Sequence, residues 1–130
     1  NKSKNKIVII QQIDKKVDFE EIADALSLSM EELVSEIEHI CYSGTKLSID
    51  YYLEQFLDDE HFDELHDYFL NAETDRITHA LDEFDGDYTE EELRLFRVKF
   101  LSEYANWFNN SLLEKLNIFL IYIFLITPEN

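Results

Sequence analysis

The chain has 130 residues, 45% of them hydrophobic, and a formal net charge of −18. This length fits one domain or two very small ones with a real core. Two glycines and one proline leave little material for hairpin turns, so the composition predicts a mainly helical protein and excludes a β-sandwich or barrel. A single cysteine excludes an internal disulfide and a cysteine-based zinc site, which is typical of a reducing, intracellular compartment.

The charge is distributed unevenly along the chain. The arm up to Lys16 holds five lysines and one acid, whereas 25 acids stand against two basic residues between Val17 and Leu93. An acidic body repels a phosphate backbone over roughly 8–10 Å at physiological salt. Nucleic-acid contact is therefore predicted either at the strip Arg94–Lys99 or at the lysine-rich arm. The candidate residues of the arm are Lys2, Lys4, Lys6, Lys15 and Lys16. The alternative is that this arm is only the end of a linker, kept soluble by its lysines.

Three helices are predicted in the first third of the chain. Ile7–Ile13 is an apolar run that predicts the first helix. Asp18 with Glu21 and Ser29 with Glu32 have the spacing of capping boxes, and each pair precedes an apolar helical pattern. The third helix has a stripe of apolar residues spaced three and four apart, which predicts a core-facing surface. That stripe consists of Met30, Leu33, Val34, Ile37, Ile40 and Cys41.

Residues 18–39, DFEEIADALSLSMEELVSEIEH, have the outline of a helix-turn-helix, yet their second helix carries four glutamates and no lysine or arginine. Docking in the major groove would bring these carboxylates close to phosphates and to the acceptor-rich edge of guanine. We therefore expect that this helix does not read bases. Its predicted outward positions are Glu31, Glu32, Ser35, Glu36, Glu38 and His39.

The pattern after Gly44, which ends the third helix, predicts a second helical unit. TKLSID at 45–50 alternates and predicts either a short strand or the stub of a wing. Candidate N-caps then precede further helical patterns: Asp50, Asp58 or Asp59, Thr74 and Thr89. The last of these starts a long helix, with Glu92 in the reciprocal capping position.

The C-terminal tail has a different composition. Ile118–Ile126 is nine uninterrupted apolar residues, whereas a membrane span needs about 20. We expect this segment to pack on the domain or on another chain, and we predict no membrane association.

No catalytic, cofactor-binding or metal-binding residue is predicted. The only glycines are Gly44 and Gly86, so no phosphate-binding loop is possible and the chain alone is predicted not to be an enzyme. The stretch 82–92 is similar to a calcium loop, but its first ligand position falls on Leu81, which offers no oxygen. A turn followed by a capped helix is the favoured interpretation.

The histidines and the cysteine are predicted to have no catalytic role. His61 and His66 are five residues apart, which does not place two metal ligands on one helical face. Together with His79 they are interpreted as solvated or half-buried beside carboxylates. Cys41 lies on the core stripe and is interpreted as an inert hydrophobe. Nothing in the spacing supports a hydrolase triad from Ser43 and His39.

The order of these elements resembles a known family. IDKKVDFEEIADALSLSMEELVSEIEHICYSGTKLSIDYYLEQFL, followed by DEHFDELHDYFLNAETDRITHALDEFDGDYTEEELRLFRVKFLSEYAN, is similar to the extreme C-terminal helix-turn-helix region of RecQ-family ATP-dependent DNA helicases. The Bacteroidetes form is the most similar. The resemblance covers Ile7 to Asn106 and carries over no catalytic residue.

The resemblance implies a parent enzyme that unwinds DNA, with its motor and zinc-binding parts upstream. ATP and magnesium would then belong to that motor, and none of the cofactors to this chain. A sequence that begins mid-pattern at Asn1 is expected to be a piece of such a longer protein. The implied role is an accessory domain that helps to engage DNA or positions the motor, in the bacterial cytoplasm at the nucleoid.

The prediction is therefore an all-α chain, with a helix-turn-helix, possibly winged, followed by a small helical bundle. The predicted units are residues 1–49, residues 50–106 and an apolar tail, 107–130. The alternative function is an acidic protein-interaction module without direct DNA contact, whose partner is the helicase motor or a basic protein.

Overall fold

The structure is a computed structural model, which describes the backbone of residues 2–127 and the side chains of residues 4–104 and 115–127. Within this range the chain is all helical, as predicted, and contains no strand. The helices are α1 (Lys2–Asp14), α2 (Phe19–Leu26), α3 (Met30–Tyr42), α4 (Asp50–Leu53), α5 (Asp59–Asn71), α6 (Ile77–Phe84) and α7 (Glu90–Ile126). The segment 45–49, predicted as a strand or wing, is an irregular connection between α3 and α4.

Helix α1 is longer than predicted, because it begins at Lys2 and not at Ile7. Lys2, Lys4 and Lys6 of the lysine-rich arm are therefore in a helix, although the side chain of Lys2 lies outside the described residues. Ile9 and Ile13, four residues apart, are buried and attach one face of α1 to the core.

Two of the predicted capping boxes are confirmed. Ser29 Oγ accepts a hydrogen bond from the backbone N–H of Glu32, whose carboxylate accepts from the N–H of Ser29. Thr89 and Glu92 form the same pair at the start of α7. These side chains satisfy backbone donors that have no partner within the helix, which fixes where α3 and α7 begin.

Other predicted caps differ from the structure. Asp18 precedes α2 but makes no side-chain cap; its Oδ1 instead accepts a hydrogen bond from Gln55 Nε2 at 2.6 Å, which ties the start of α2 to the residues after α4. Thr74 is not the N-cap of α6, which is Arg76. The side-chain oxygen of Asp18 thus makes a tertiary contact, and that of Thr74 accepts from the N–H of Arg76 in a local turn, so neither caps a helix as predicted.

The predicted stripe of α3 lies in the core. Leu33, Val34, Ile37 and Ile40 are buried, whereas Met30 and Cys41 are only half-buried at its edges. Residues of the predicted first and second units belong to one hydrophobic cluster, because Leu93, Phe96 and Val98 of α7 are buried with this stripe. Helix α7 is therefore a central helix of the fold, with α3, α4, α5 and α6 packed around its first half.

The apolar tail continues α7 as one helix. All described side chains from Lys115 to Thr127 are exposed, so the predicted packing of the tail on the domain is wrong for these residues. Within the described part of the chain, no helix is long and apolar enough to cross a membrane. The side chains of Trp107 and its neighbours, 105–114, lie outside the described residues.

Removal of the residues after Asn106 is expected to leave a folded domain. The described tail side chains bury no surface against the helical core, so their loss removes no core packing. Far-UV circular dichroism and thermal unfolding of the truncated chain would check this. A single cooperative transition is the expected result, and loss of that transition would mean that the tail is needed for the core.

Candidate nucleic-acid interface

The second helix of the helix-turn-helix, α3, is covered along one side by α7. Arg94 of α7 is 8% exposed. Its guanidinium donates to both oxygens of Glu31, at 2.8 and 2.9 Å, and to Ser35 Oγ at 3.1 Å. It also donates to Glu38 Oε1 from Nε at 3.1 Å and from Nη2 at 2.5 Å. Three positions of α3, spaced by four and three residues, thus bind one arginine of α7.

Glu38 is shared between two arginines. Its Oε1 accepts from Arg94, and its Oε2 accepts from Arg97 Nη2 at 2.6 Å. The side chains of Glu38, Arg94 and Arg97 are only 13%, 10% and 12% exposed. Hydrogen bonding to Glu38 raises the pKa of Arg94, and this effect outweighs the opposing effect of burial. We call these three side chains the Glu38 cluster.

The Glu38 cluster corrects two predictions. Glu38 is not an outward-facing residue of α3, and Glu31 and Ser35 face α7, although Glu31 remains 64% exposed. The strip Arg94–Lys99 is not a free basic surface either. Arg97 is bound to Glu38, and the Lys99 ammonium contacts Asp50 at 3.0 Å as well as Glu103. These cations form ion pairs within the chain, because the neighbouring carboxylates attract them at short distances.

Helix α7 covers one side of α3. A recognition helix must enter the major groove, which is about 12 Å wide, with its side chains free to reach base edges. Here α7 lies against the Glu31–Ser35–Glu38 side of α3. Glu32 on α3 is exposed but is engaged in the capping box. The described contacts of α3 are therefore typical of a structural helix.

The lysines of the predicted DNA-binding arm do not form one patch. Lys4 and Lys15 are exposed and stand eleven residues apart, close to three helical turns, so they share one side of α1 and its continuation. Lys6 lies on another side, where its Nζ donates to Ser43 Oγ at 3.2 Å. Lys16 follows the helix in a left-handed conformation, with φ of 59°.

Lys16 lines a cleft with acidic as well as basic walls. The cleft has a volume of about 360 Å³ and lies between the α1–α2 turn, the 45–54 segment and α7. Lys46 and Lys99 line it together with Asp50 and Glu103. The charges of this cleft are mixed, so its lysines do not by themselves define an anion site.

The described histidines and the cysteine lie among neighbouring side chains of the fold. No group of three metal-ligating side chains was found among the described residues. His61 lies beside Asp58 in the cap of α5, and His66 lies edge-on to the Phe100 ring. Burial raises the pKa of the Cys41 thiol, which is typical of an unreactive cysteine. Asp85 and Gly86 form the turn after α6, which leads into the capped start of α7.

Sequence reasoning missed the Glu38 cluster. The signal was present, since Glu31, Ser35 and Glu38 fall on one side of α3 and Arg94 and Arg97 are one helical turn apart. Periodicity indicates which side chains share a face, but it does not tell which helix covers that face. The two arginines were therefore assigned to a candidate nucleic-acid surface.

Helices α1 to α3, with the short turn at residues 27–29, define a helix-turn-helix domain. Residues 3–53 match the family model described as the RecQ-1-like helix-turn-helix domain. This match confirms the family resemblance for that part of the chain; for residues 54–106 the resemblance stays a prediction. No curated protein sequence matches the chain.

Proposed function

We propose that this chain is a non-catalytic accessory module of a RecQ-type ATP-dependent DNA helicase, and that any contact with DNA runs through α1 and the turn after it. The match of residues 3–53 to the RecQ-1-like domain carries the link to a helicase. The motor, with its ATP and magnesium, would lie elsewhere in the parent protein. The module would act in the bacterial cytoplasm at the nucleoid.

We choose α1 because it has basic side chains that are exposed to solvent, where DNA could contact them. Arg94, Arg97 and Lys99 of α7 are bound within the chain through the Glu38 cluster and the Lys99 contacts. Lys4 and Lys15 are exposed on one side of α1, roughly 16 Å apart along the helix. Two ammonium groups on one side of a helix can contact phosphates of one DNA strand. Such contacts hold a protein on DNA without reading its sequence.

Reversal of the charge on the lysines of α1 and of the turn after it should weaken DNA binding. We expect Lys4→Glu, Lys6→Glu, Lys15→Glu and Lys16→Glu together to weaken binding of a forked duplex by about tenfold or more, with a flatter salt dependence. The control is Glu36→Ala on α3, which should leave affinity and sequence preference unchanged. Fluorescence anisotropy at several salt concentrations measures both quantities.

The outcomes of this titration separate two functions. Loss of recognition of one particular sequence in Glu36→Ala would identify α3 as a base reader and overturn the proposal. Absence of binding by the unmodified chain, even at low salt, would favour the second candidate, an acidic protein-interaction module. That candidate is supported by the exposed acids of α5, which form a surface suited to a basic partner or to the motor domain. They are Asp59, Glu60, Asp63, Glu64 and Asp67.

A further inference from the structure

The exposed side of α1 carries more than two lysines. Each residue of an α-helix turns by about 100°, so side chains three, seven and eleven residues apart follow one another along one side. Lys4, Ile7, Gln11 and Lys15 are spaced in this way, and all four are exposed. Lys15 continues the helix, because its N–H donates to the carbonyl oxygen of Gln11. We call these four side chains the α1 row.

The α1 row places an apolar side chain and an amide between two cations. The ammonium groups lie at its ends, whereas Ile7 and Gln11 lie between them, roughly 6 Å apart along the helix axis. The Ile7 side chain is 58% exposed, although an isoleucine more often lies in the core. Ammonium groups attract phosphates, an apolar side chain can pack on the face of a base, and an amide can bind the edge of a base.

Electrostatic attraction by the α1 row is weak. Asp14, the only acid of α1, is exposed at the border of the row and lowers its net charge from +2 to +1. Two phosphate contacts next to a carboxylate give little affinity on their own, because the attraction grows with the number of phosphates that are neutralised. A nucleic acid held at this row therefore needs contacts with its bases as well.

The helices beside α1 favour a single phosphate backbone. Helices α2 and α3 pack against α1; they contain three and four acids, and neither contains a lysine or an arginine. Packed helices lie 8–10 Å apart, and the second backbone of a duplex lies about 12 Å away across the major groove. Over α2 or α3 this second backbone would meet carboxylates within the range of charge repulsion, and no cation of those helices would offset it.

We propose that the α1 row binds single-stranded DNA, with Lys4 and Lys15 on phosphates and an unpaired base between them, packed on Ile7 and hydrogen-bonded to the Gln11 amide. Bases of a single strand are free to turn toward a protein, whereas those of a duplex are stacked and paired. An amide both donates and accepts, so Gln11 suits any base and reads no particular sequence. Single-strand binding rests on the proposed function and adds to it the form of the DNA and two residues that contact a base.

Fluorescence anisotropy of the full chain with three DNAs of equal length tests the proposal. They are a thymidine single strand, a strand of abasic sites and a blunt duplex. The abasic strand keeps the phosphates and lacks the bases, so the difference in affinity between the two strands measures base contact. The unmodified chain should bind the thymidine strand about threefold or more tightly than either of the other two.

Substitutions in the α1 row should separate the two kinds of contact. Ile7→Ala and Gln11→Ala should each weaken binding of the thymidine strand by about threefold, and leave the abasic strand and the salt dependence unchanged. Lys4→Ala and Lys15→Ala should weaken binding of both strands, and each should lower the slope of log K against log salt by about 0.7. Leu70→Ala is the matched control for Ile7→Ala, since Leu70 is 53% exposed on α5, and it should change neither quantity.

The outcomes distinguish single-strand binding from DNA contact as such. Equal affinity for the duplex or for the abasic strand would overturn single-strand binding by the α1 row, and DNA contact through α1 would stand. Unchanged affinity in both Ile7→Ala and Gln11→Ala, with their helices intact by circular dichroism, would also overturn it. Absence of binding to all three DNAs at low salt would overturn the proposed function as well.

Discussion

Replacement of Glu38 by alanine is expected to lower the free energy of unfolding by about 3–5 kcal/mol. Its carboxylate is 13% exposed and accepts hydrogen bonds from two arginines that are themselves nearly buried. Without it, Arg94 keeps only Glu31 and Ser35 as partners, and Arg97 loses its one carboxylate contact in the cluster. Two cations would then remain in a poorly hydrated position, which is the costly result of breaking a buried ion pair. Chemical denaturation of the purified variant measures the change.

Glu31→Ala is the matched control for this prediction. Glu31 lies on the same helix and binds the same arginine, at 2.8 Å, but its side chain is 64% exposed. Water screens such an exposed carboxylate, and Arg94 keeps Glu38 and Ser35 as partners after its removal, so a cost of about 0–1 kcal/mol is expected. Equal effects of the two substitutions would contradict the assignment of the stability to burial of the Glu38 cluster.

Ile37→Ala should destabilise the chain by about 2–5 kcal/mol. Ile37 is fully buried on the stripe of α3, which packs with residues of both α1 and α7. The substitution removes apolar surface from the core and leaves a cavity that the surrounding helices fill only in part. Because the net stability of a domain is commonly 5–15 kcal/mol, this loss is a large fraction of the total. The midpoint and slope of urea unfolding give the change.

The control for Ile37 is the same substitution at an exposed position. Ile7→Ala removes the same atoms from α1, where the side chain is 58% exposed. A change within about 0.5 kcal/mol is expected there. If Ile7→Ala were as costly as Ile37→Ala, the stripe of α3 would not be the centre of the core.

The sequence was sufficient to predict most local structure. The apolar stripe of α3, the capping boxes at Ser29 and Thr89, and the end of α3 near Gly44 depend on residues within one or two helical turns of each other. Local hydrogen-bonding geometry and helical periodicity decide such features, so the pattern and the structure agree. The all-helical class and the helix-turn-helix at residues 3–53 follow from the same local signals.

The prediction was wrong where a side chain had two possible partners. Asp18 has the spacing of a capping residue, yet it binds Gln55. Glu38 was assigned to solvent and Arg94 to a candidate nucleic-acid surface, and the structure brings them together across 56 residues of sequence. A charged residue in a sequence indicates a preference for water or for an opposite charge, and only the tertiary structure decides which of the two it finds.

In the candidate nucleic-acid interface, too, some features follow from the sequence and others only from the tertiary structure. The sequence alone predicts that α3 is too acidic for a base reader, because four glutamates without a basic residue on the same helix repel phosphates. It could not determine that two of these glutamates neutralise the arginines of α7, nor which lysines remain accessible on α1. Electrostatic repulsion depends on composition, whereas ion pairing at 2.5–3 Å depends on how helices distant in sequence pack together, and that packing is decided by the shape of the whole core.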